Sequence, residues 1–334
     1  MVSKHEEAGL TKEDLLNIYE TMLTARRVDE RMWLLNRAGK IPFVISCQGQ
    51  EAAQVGAAYA LDNTKDYIAP YYRDLGVVLH FGMTPKDIML SAFAKAEDPN
   101  SGGRQMPGHF GQKKNRILTG SSPVTTQLPH AVGVALAGKM KKQDFITFNT
   151  LGEGSSNQGD FHEGLNFAGV HKLPVITMVE NNKYAISVPY DRQVASKNVS
   201  DRAIGYGMPG VTIDGNDPIE VYKHVKEAAD RARRGEGPSL IETVSERMTA
   251  HSSDDDHRQY RSADELAAQK EKDPILTFGA YLKENGIMDD ELEKEINDRI
   301  MVIVNEATDY AENAPYAEPE HALKYVYAEK GGNE

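Results

Sequence analysis

Gly152-Glu153-Gly154 and Asn181-Asn182, separated by 26 residues, are the positions in this chain whose types and spacing could do chemistry. The triplet follows a strand-like run at 145–151, and the asparagine pair follows another at 174–179. Between them Phe161, Leu165 and Ala168 recur at helical spacing, with Asp160 and Glu163 placed to cap the helix. A strand, helix and strand in this order predict two parallel neighbours joined by a right-handed crossover. Both motifs then leave the carboxyl edge of one sheet, where open α/β sheets bind ligands. Glycines beside Glu153 would let the backbone turn tightly and approach a diphosphate, and the N–H groups after them favour anionic oxygens. The Glu153 carboxylate, the Asn182 amide oxygen and the Tyr184 carbonyl make a hard-oxygen set for Mg²⁺ or Ca²⁺. Mg²⁺ would complete its octahedron with phosphate oxygens and water. Either motif alone is an ordinary turn; their joint placement carries the reading.

The elements that must position these residues follow from periodicity. Residues 11–38 read as one amphipathic helix through Leu15, Ile18, Tyr19, Met22 and Leu23, opened by a Thr11–Asp14 capping box. Strands are expected at 211–213 and 239–244, with a helix over 218–234 between them. Small residues Gly133, Ala135 and Ala137 in a helix after Gln127 indicate close packing, in the core or at a subunit interface. Residues 251–261 are a polar, acidic loop, and the chain beyond Ala263 reads as helical to its end. The expected fold is α/β, a mostly parallel sheet with helices on both faces. The expected divisions are a helical extension at 1–42, an α/β domain at 43–262 containing the loop, and a helical region at 263–334.

Composition narrows the function classes. The 334 residues carry a formal net charge of −12, which argues against broad binding to nucleic acid or anionic membranes. An anionic ligand would therefore need a local site. A single cysteine, Cys47, excludes an internal disulfide and suits a reducing compartment. With no apolar signal core and no run long enough to span a bilayer, a cytoplasmic protein is expected.

Gly-acid-Gly, 26 residues, then Asn-Asn resembles the diphosphate signature of thiamine-diphosphate enzymes. The longer run from Gly152 to Ser187 is similar to alpha subunits of the decarboxylating component of 2-oxo-acid dehydrogenase complexes. The resemblance is strongest from Pro70 to Arg261 and looser towards both ends. It implies the thiamine-diphosphate-binding fold, with Gly152, Glu153, Gly154 and Ser155 at the diphosphate and Glu153, Asn182 and Tyr184 on Mg²⁺. Tyr72 and Arg73 match the family's aromatic-basic pair at the cofactor, where a guanidinium can give a phosphate two charge-assisted bonds. Ser122 and Val124 match the aminopyrimidine and substrate region. Ser121, Pro123, Thr126 and Gln127 match a monovalent-cation site, compatible with K⁺.

His251 opens a segment, His-Ser-Ser-Asp-Asp-Asp, that ends in Tyr260-Arg261 and matches the family's mobile loop, whose histidine reaches the cofactor. The adjacent acids predict that His251 favours its protonated form. Ser252 matches a position phosphorylated in animal members. Glu153, where most members have aspartate, resembles the branched-chain type, so the implied reaction is oxidative decarboxylation of branched 2-oxo acids. The family's pyrimidine-activating glutamate belongs to a beta subunit, which implies a heterotetramer and transfer to a lipoyl-bearing acyltransferase. A pyruvate or acetoin dehydrogenase alpha subunit, and a non-catalytic α/β binding module, remain the alternatives.

Overall fold

The computed structural model describes residues 2–324, 326 and 327. Its strands are β1 Tyr67–Ala69, β2 Thr147–Gly152, β3 Val175–Asn181, β4 Tyr184–Ala185, β5 Val188–Pro189, β6 Gly210–Asp214 and β7 Ser239–Val244. Five form one parallel sheet in the order β1-β2-β3-β7-β6, while β4 and β5 make a separate antiparallel hairpin. Every residue of β3 is buried, as a central parallel strand covered on both faces requires.

Alternation along the strands splits the apolar side chains between two clusters. Ile176 and Met178 join a large cluster with Val55 of helix Glu51–Tyr59 and Val225 of helix Pro218–Arg233. Val175 and Val179 join a second cluster with Leu128 of helix Gln127–Met140 and Leu165 of helix Gly159–Val170. The first cluster also contains Leu15 and Ile18 of helix Lys12–Arg37 and Ile296 and Ile300 of helix Asp290–Asn313. The chain's two ends are thus packed into the same apolar mass as the sheet.

Helix Lys12–Arg37 opens with the expected box, Thr11 and Asp14 each bonding the other's backbone N–H. Arg26 on this helix donates from Nε to Glu51 Oε1 at 2.6 Å, and from Nη1 and Nη2 to the Asp273 carboxylate at 2.8 and 3.0 Å. Asp273 in turn caps helix Pro274–Glu284. One buried guanidinium therefore ties three helices together.

Several expectations need correction. The N-cap of helix Gly159–Val170 is Gln158 and makes no side-chain bond; Asp160 lies in the first turn, where its charge meets the helix dipole, and Glu163 lies beyond the cap. A Cβ on Gly133 would meet nothing within 4 Å, whereas one on Gly138 would sit 2.5 Å from Phe145 Cζ. Of the three small residues only Ala135 is buried in the core, Gly133 and Ala137 are exposed, and the closest backbone approach in that helix is at Gly138. The C-terminal region comprises helices Ala263–Lys270, Pro274–Glu284 and Asp290–Asn313, turns extended at Ala314, and then makes one 3-10 helix, Pro319–Leu323. Residues 328–334 lie outside the described ones. Short elements without a repeating signal, β1 and helices Glu51–Tyr59, Leu75–His80 and Pro85–Ala92, were not anticipated. Among the described residues, no helix is long and apolar enough to cross a membrane.

Asp29, fully buried in helix Lys12–Arg37, accepts a bond from Ser46 Oγ through one oxygen and leaves the other without a partner. Burial pushes its carboxyl up to about 7. The folded state therefore holds a proton that the unfolded chain releases near pH 4. The associated stability is whole below about pH 4 and is lost as pH rises to about 7, at up to roughly 1.4 kcal/mol per pH unit. Asp29→Asn should flatten this slope in denaturant titrations between pH 4 and 7; an unchanged slope would locate the proton elsewhere.

Candidate functional site

The parallel register sets Gly152 opposite Glu180, so β2 stops one residue short of β3 and Glu153 emerges beside Asn182. Glu153 Oε2 accepts from the Asn182 backbone N–H at 3.3 Å, and Oε1 accepts from Gln193 Nε2 at 3.1 Å. Burial raises the Glu153 carboxyl, partly offset by these bonds. The Asn182 amide N–H donates to Gln50 Oε1 at 3.3 Å, which leaves Asn182 Oδ1 to cap the Tyr184 N–H.

These residues line a cleft of about 380 Å³ at the carboxyl edge of the sheet. Its walls gather Tyr72, Arg73, Val124, Gly152, Glu153, Gly154, Ser155, Asn182, Tyr184 and His251 from segments far apart in the chain. The 3-10 turn Gly154–Asn157 forms the floor next to Glu153, ahead of helix Gly159–Val170. Neither glycine of the triplet has positive φ. A Cβ on Gly154 would stand 2.5 Å from Ala185 Cβ, so space rather than conformational freedom demands glycine there. A Cβ on Gly152 would meet nothing within 4 Å.

The hairpin β4–β5 forms the opposite wall, and its turn residue Ile186 takes φ 55°, a strained conformation for a β-branched side chain. Arg247 holds that turn, donating from Nη2 to Ile186 O at 2.9 Å and more weakly from Nη1 to Tyr184 O at 3.4 Å. Arg247 also donates to Tyr260 Oη at 2.8 Å, and the Tyr260 hydroxyl donates to Asp255. The loop is thereby tied to the site by its own polar side chains. Arg261 adds a bond to the Arg247 carbonyl at 2.7 Å.

Arg73 and Arg247 are both fully buried. Arg73 donates to the Ser46 carbonyl and lies over the Tyr72 ring at 5.4 Å. Neither guanidinium has a carboxylate within 4 Å among the described residues, and the Nε of each lacks a partner. A buried cation without a close carboxylate is costly, and an anion entering the cleft would relieve Arg73, which lines it; Arg247 spends its Nη donors on the hairpin carbonyls and Tyr260.

His251 reverses its expectation. Its Nδ1 lies 3.4 Å from Arg73 Nη2, and its backbone N–H donates to Asp255 at 2.8 Å. Burial pushes the imidazole down to about 4; Arg73 and Arg247 act in the same direction and outweigh Asp255. Of the acids that follow it in sequence, Asp255 does bear on the imidazole, but burial and the two arginines outweigh it. Ser252 is buried, and its Oγ accepts from the Asp254 N–H at 3.3 Å.

The segment 121–127 is divided. Val124 reaches the cleft, whereas Ser122 is exposed and bonds His109 Nε2 at 2.6 Å. Ser121 and Thr126 are half-buried and Pro123 exposed. Gln127 is buried and donates from Nε2 to Thr150 O at 2.9 Å. Sequence reasoning missed Gln50, Gln193 and His109, which touch site residues from distant segments and carry no local motif. Among the described residues, no group of three or more histidine, cysteine or acidic side chains could hold a metal. A hard cation here would rest on one carboxylate with amide and carbonyl oxygens.

The fold is a parallel α/β sheet with a cleft at its carboxyl edge, and comparison with known proteins gives its family. Residues 19–320 match the profile described as Dehydrogenase E1 component, and the chain belongs to that thiamine-diphosphate-dependent family. It is 72% identical over 326 residues to the 2-oxoisovalerate dehydrogenase subunit alpha of Bacillus subtilis, covering 98% of this chain and 99% of the relative. The 3-methyl-2-oxobutanoate dehydrogenase subunit alpha of Mycobacterium tuberculosis is 39% identical, over 96% of this chain and 84% of its own length. The pyruvate dehydrogenase E1 component subunit alpha of Staphylococcus aureus is 35% identical, over 97% and 85%.

The electrostatics of His251 can be measured directly. Arg73→Gln removes a cation that opposes imidazolium formation, so the His251 midpoint should move up from about 4 towards the ordinary 6.5, short of it because burial persists. An NMR titration of the histidine ring signals reads this; an unmoved midpoint would mean that Arg73 contributes nothing.

Proposed function

We propose that this chain is the alpha subunit of a branched-chain 2-oxo-acid dehydrogenase, acting in oxidative decarboxylation and in acyl transfer to a lipoyl group. The reading is supported by the 72% identity to a 2-oxoisovalerate dehydrogenase alpha subunit and by the family membership. The observation that carries its chemistry is the buried Arg73 guanidinium, with no carboxylate in ion-pair reach among the described residues, lining the same cleft as Glu153 and Asn182.

Those residues fit a metal-bound diphosphate. Arg73 would supply charge-assisted bonds to phosphate oxygens, and Ser155 with the adjoining turn would offer polar groups on the floor. Glu153 and Asn182 Oδ1, with the Tyr184 carbonyl, would hold Mg²⁺. Gln193 and Gln50 orient the two side-chain ligands, since each already bonds the atom that must not rotate away. Bound thiamine diphosphate supplies the nucleophilic carbon and the electron sink for decarboxylation. Ser121, Pro123, Thr126 and Gln127 would serve a K⁺ ion that braces the turn carrying Val124.

The chain's own contribution is positioning and electrostatics. Tyr72 packs beside both Arg73 and His251, whose ring lies 6.2 Å away edge-on. His251, held neutral, would accept or share a hydrogen bond at the reacting end rather than deliver a standing positive charge. The exposed aliphatic side chains at the cleft mouth, Val124, Ile186 and Val188, would be covered by a beta subunit that brings the activating glutamate. The assembly would be a heterotetramer serving a lipoyl-bearing acyltransferase.

Glu153→Ala should weaken Mg²⁺-dependent thiamine diphosphate binding by about tenfold to a hundredfold in calorimetry while the circular dichroism spectrum is kept. Unchanged affinity would remove Glu153 from the metal. For the substrate, each extra methylene buried is worth about 0.8 kcal/mol. The oxo acids of valine, leucine and isoleucine should then exceed pyruvate by roughly tenfold to a hundredfold in kcat/KM of the reconstituted alpha–beta enzyme. A preference for pyruvate would move the assignment to a pyruvate dehydrogenase alpha subunit.

A further inference from the structure

Lys183 stands between Asn182 and Tyr184, both of which line the cleft, and its backbone is left-handed at φ 73°. Glycine adopts that conformation freely, whereas a residue with a Cβ is crowded there against a carbonyl oxygen. Three bonds hold the lysine in place. Its N–H donates to Asn181 Oδ1 at 3.0 Å, its carbonyl accepts from the Tyr190 N–H at 2.9 Å, and its Nζ donates to the Glu246 carboxylate. The first two are local to residues 181–190. The third reaches across to the end of β7.

Glu246 is a firm anchor. It is buried just past β7, and a Cβ on Gly49 would stand 2.3 Å from its carbonyl oxygen. The Gly49 N–H donates to Glu51 Oε2 at 2.8 Å, and Glu51 accepts from Arg26. The Glu246 backbone is thus pressed against a turn that the buried guanidinium of helix Lys12–Arg37 pins. Its carboxylate also accepts from Lys272 Nζ at 3.3 Å, but that lysine is mostly exposed. With Glu246 buried, its pair with Lys183 is less screened than a pair exposed on both sides.

Neither Lys183 nor Glu246 lines the cofactor cleft, so any part they play there runs through the backbone. We infer that the Glu246–Lys183 ion pair positions the metal-ligand turn. It keeps residue 183 left-handed before a ligand arrives, so that Asn182 Oδ1 and the Tyr184 carbonyl are already in place. This rests on the proposed function, which puts those two oxygens on Mg²⁺, and adds the residues that preset them. Without the pair, residue 183 relaxes out of the left-handed region in the unliganded protein, and binding must restore the turn. Apparent affinity then falls in proportion to the fraction of molecules still in the competent form. The crowding of a left-handed residue with a Cβ sets that fall at roughly fivefold to tenfold, with the two local bonds still present.

The test is calorimetric affinity for thiamine diphosphate at fixed Mg²⁺, measured on the reconstituted alpha–beta enzyme without turnover. Lys183→Ala removes the tie and keeps the crowded backbone, so affinity should fall by about fivefold to tenfold. Lys183→Gly removes the tie and the crowding together, so affinity should stay within about twofold of the unaltered enzyme. Glu246→Ala should match the loss in Lys183→Ala, and should add nothing in the Lys183→Gly background. A pair that only stabilised the fold would leave the alanine and glycine variants at residue 183 alike. Lys183→Gly no better than Lys183→Ala therefore overturns the inference, as does unchanged affinity in Glu246→Ala. A Glu246→Ala loss that persists in the glycine background also overturns it, because the carboxylate would then act by another route. Should Glu246→Ala fail to fold, the two substitutions at the partly exposed Lys183 decide by themselves. An unaltered enzyme with no Mg²⁺-dependent affinity for thiamine diphosphate would sink the proposed function as well; intact affinity there, with the two residue-183 variants alike, sinks this inference alone.

Discussion

The parallel register of β2 against β3 is the constraint on which the site depends. With Gly152 opposite Glu180, β3 runs one residue past the end of β2, and the residues that follow the two strands meet as Glu153 and Asn182. A shift of one residue would turn every β3 side chain to the other face and exchange its contacts between the two apolar clusters. Register is therefore enforced by burial on both faces rather than by the site itself. The site inherits its geometry from the core, which is the rigid kind of support a binding constellation needs.

Above that edge the structure solves an electrostatic problem locally. The chain as a whole is acidic, yet a buried guanidinium, Arg73, lines its cleft and a second, Arg247, braces the cleft wall, neither with a carboxylate in ion-pair reach among the described residues. The same cations hold His251 in its neutral form. Net charge excludes broad polyanion binding, and the concentrated field admits an anion at one place. Arg247 has a second duty, because its bonds to the Ile186 and Tyr184 carbonyls hold a strained hairpin turn in position. A change in its charge environment would therefore be felt as a change in the cleft wall.

Much of the scaffold around the edge consists of ties between sequence-distant segments. Arg26 links the N-terminal helix to Glu51 and Asp273, and Gln54 donates to both the Arg73 carbonyl and Glu180 Oε2 at 3.0 Å. Such contacts bring Tyr71 to Asp74 up against the ends of β2 and β3. In consequence the aromatic-basic segment and the segments carrying Glu153 and Asn182 share one rigid frame, although about 80 to 110 residues separate them in sequence.

By itself the sequence determined what repeats locally. The period of the helix Lys12–Arg37, its Thr11 cap, and the strands β2, β3, β6 and β7 were legible because each has a periodic or buried run bounded by turn residues. The Glu153 and Asn182 pair was legible for the same reason, since two short motifs at strand ends imply one sheet edge. Only the tertiary structure decided what stands beside what. The His251 reading failed because the sequence shows the acids that follow the imidazole but not the burial and the arginines that outweigh them. Gly154 is required by Ala185 across the cleft, and no turn rule could reveal that. Gln50, Gln193 and His109 could not be found from the sequence, because a single polar residue has no periodicity. Its role is fixed by the partner that folding places within about 3 Å.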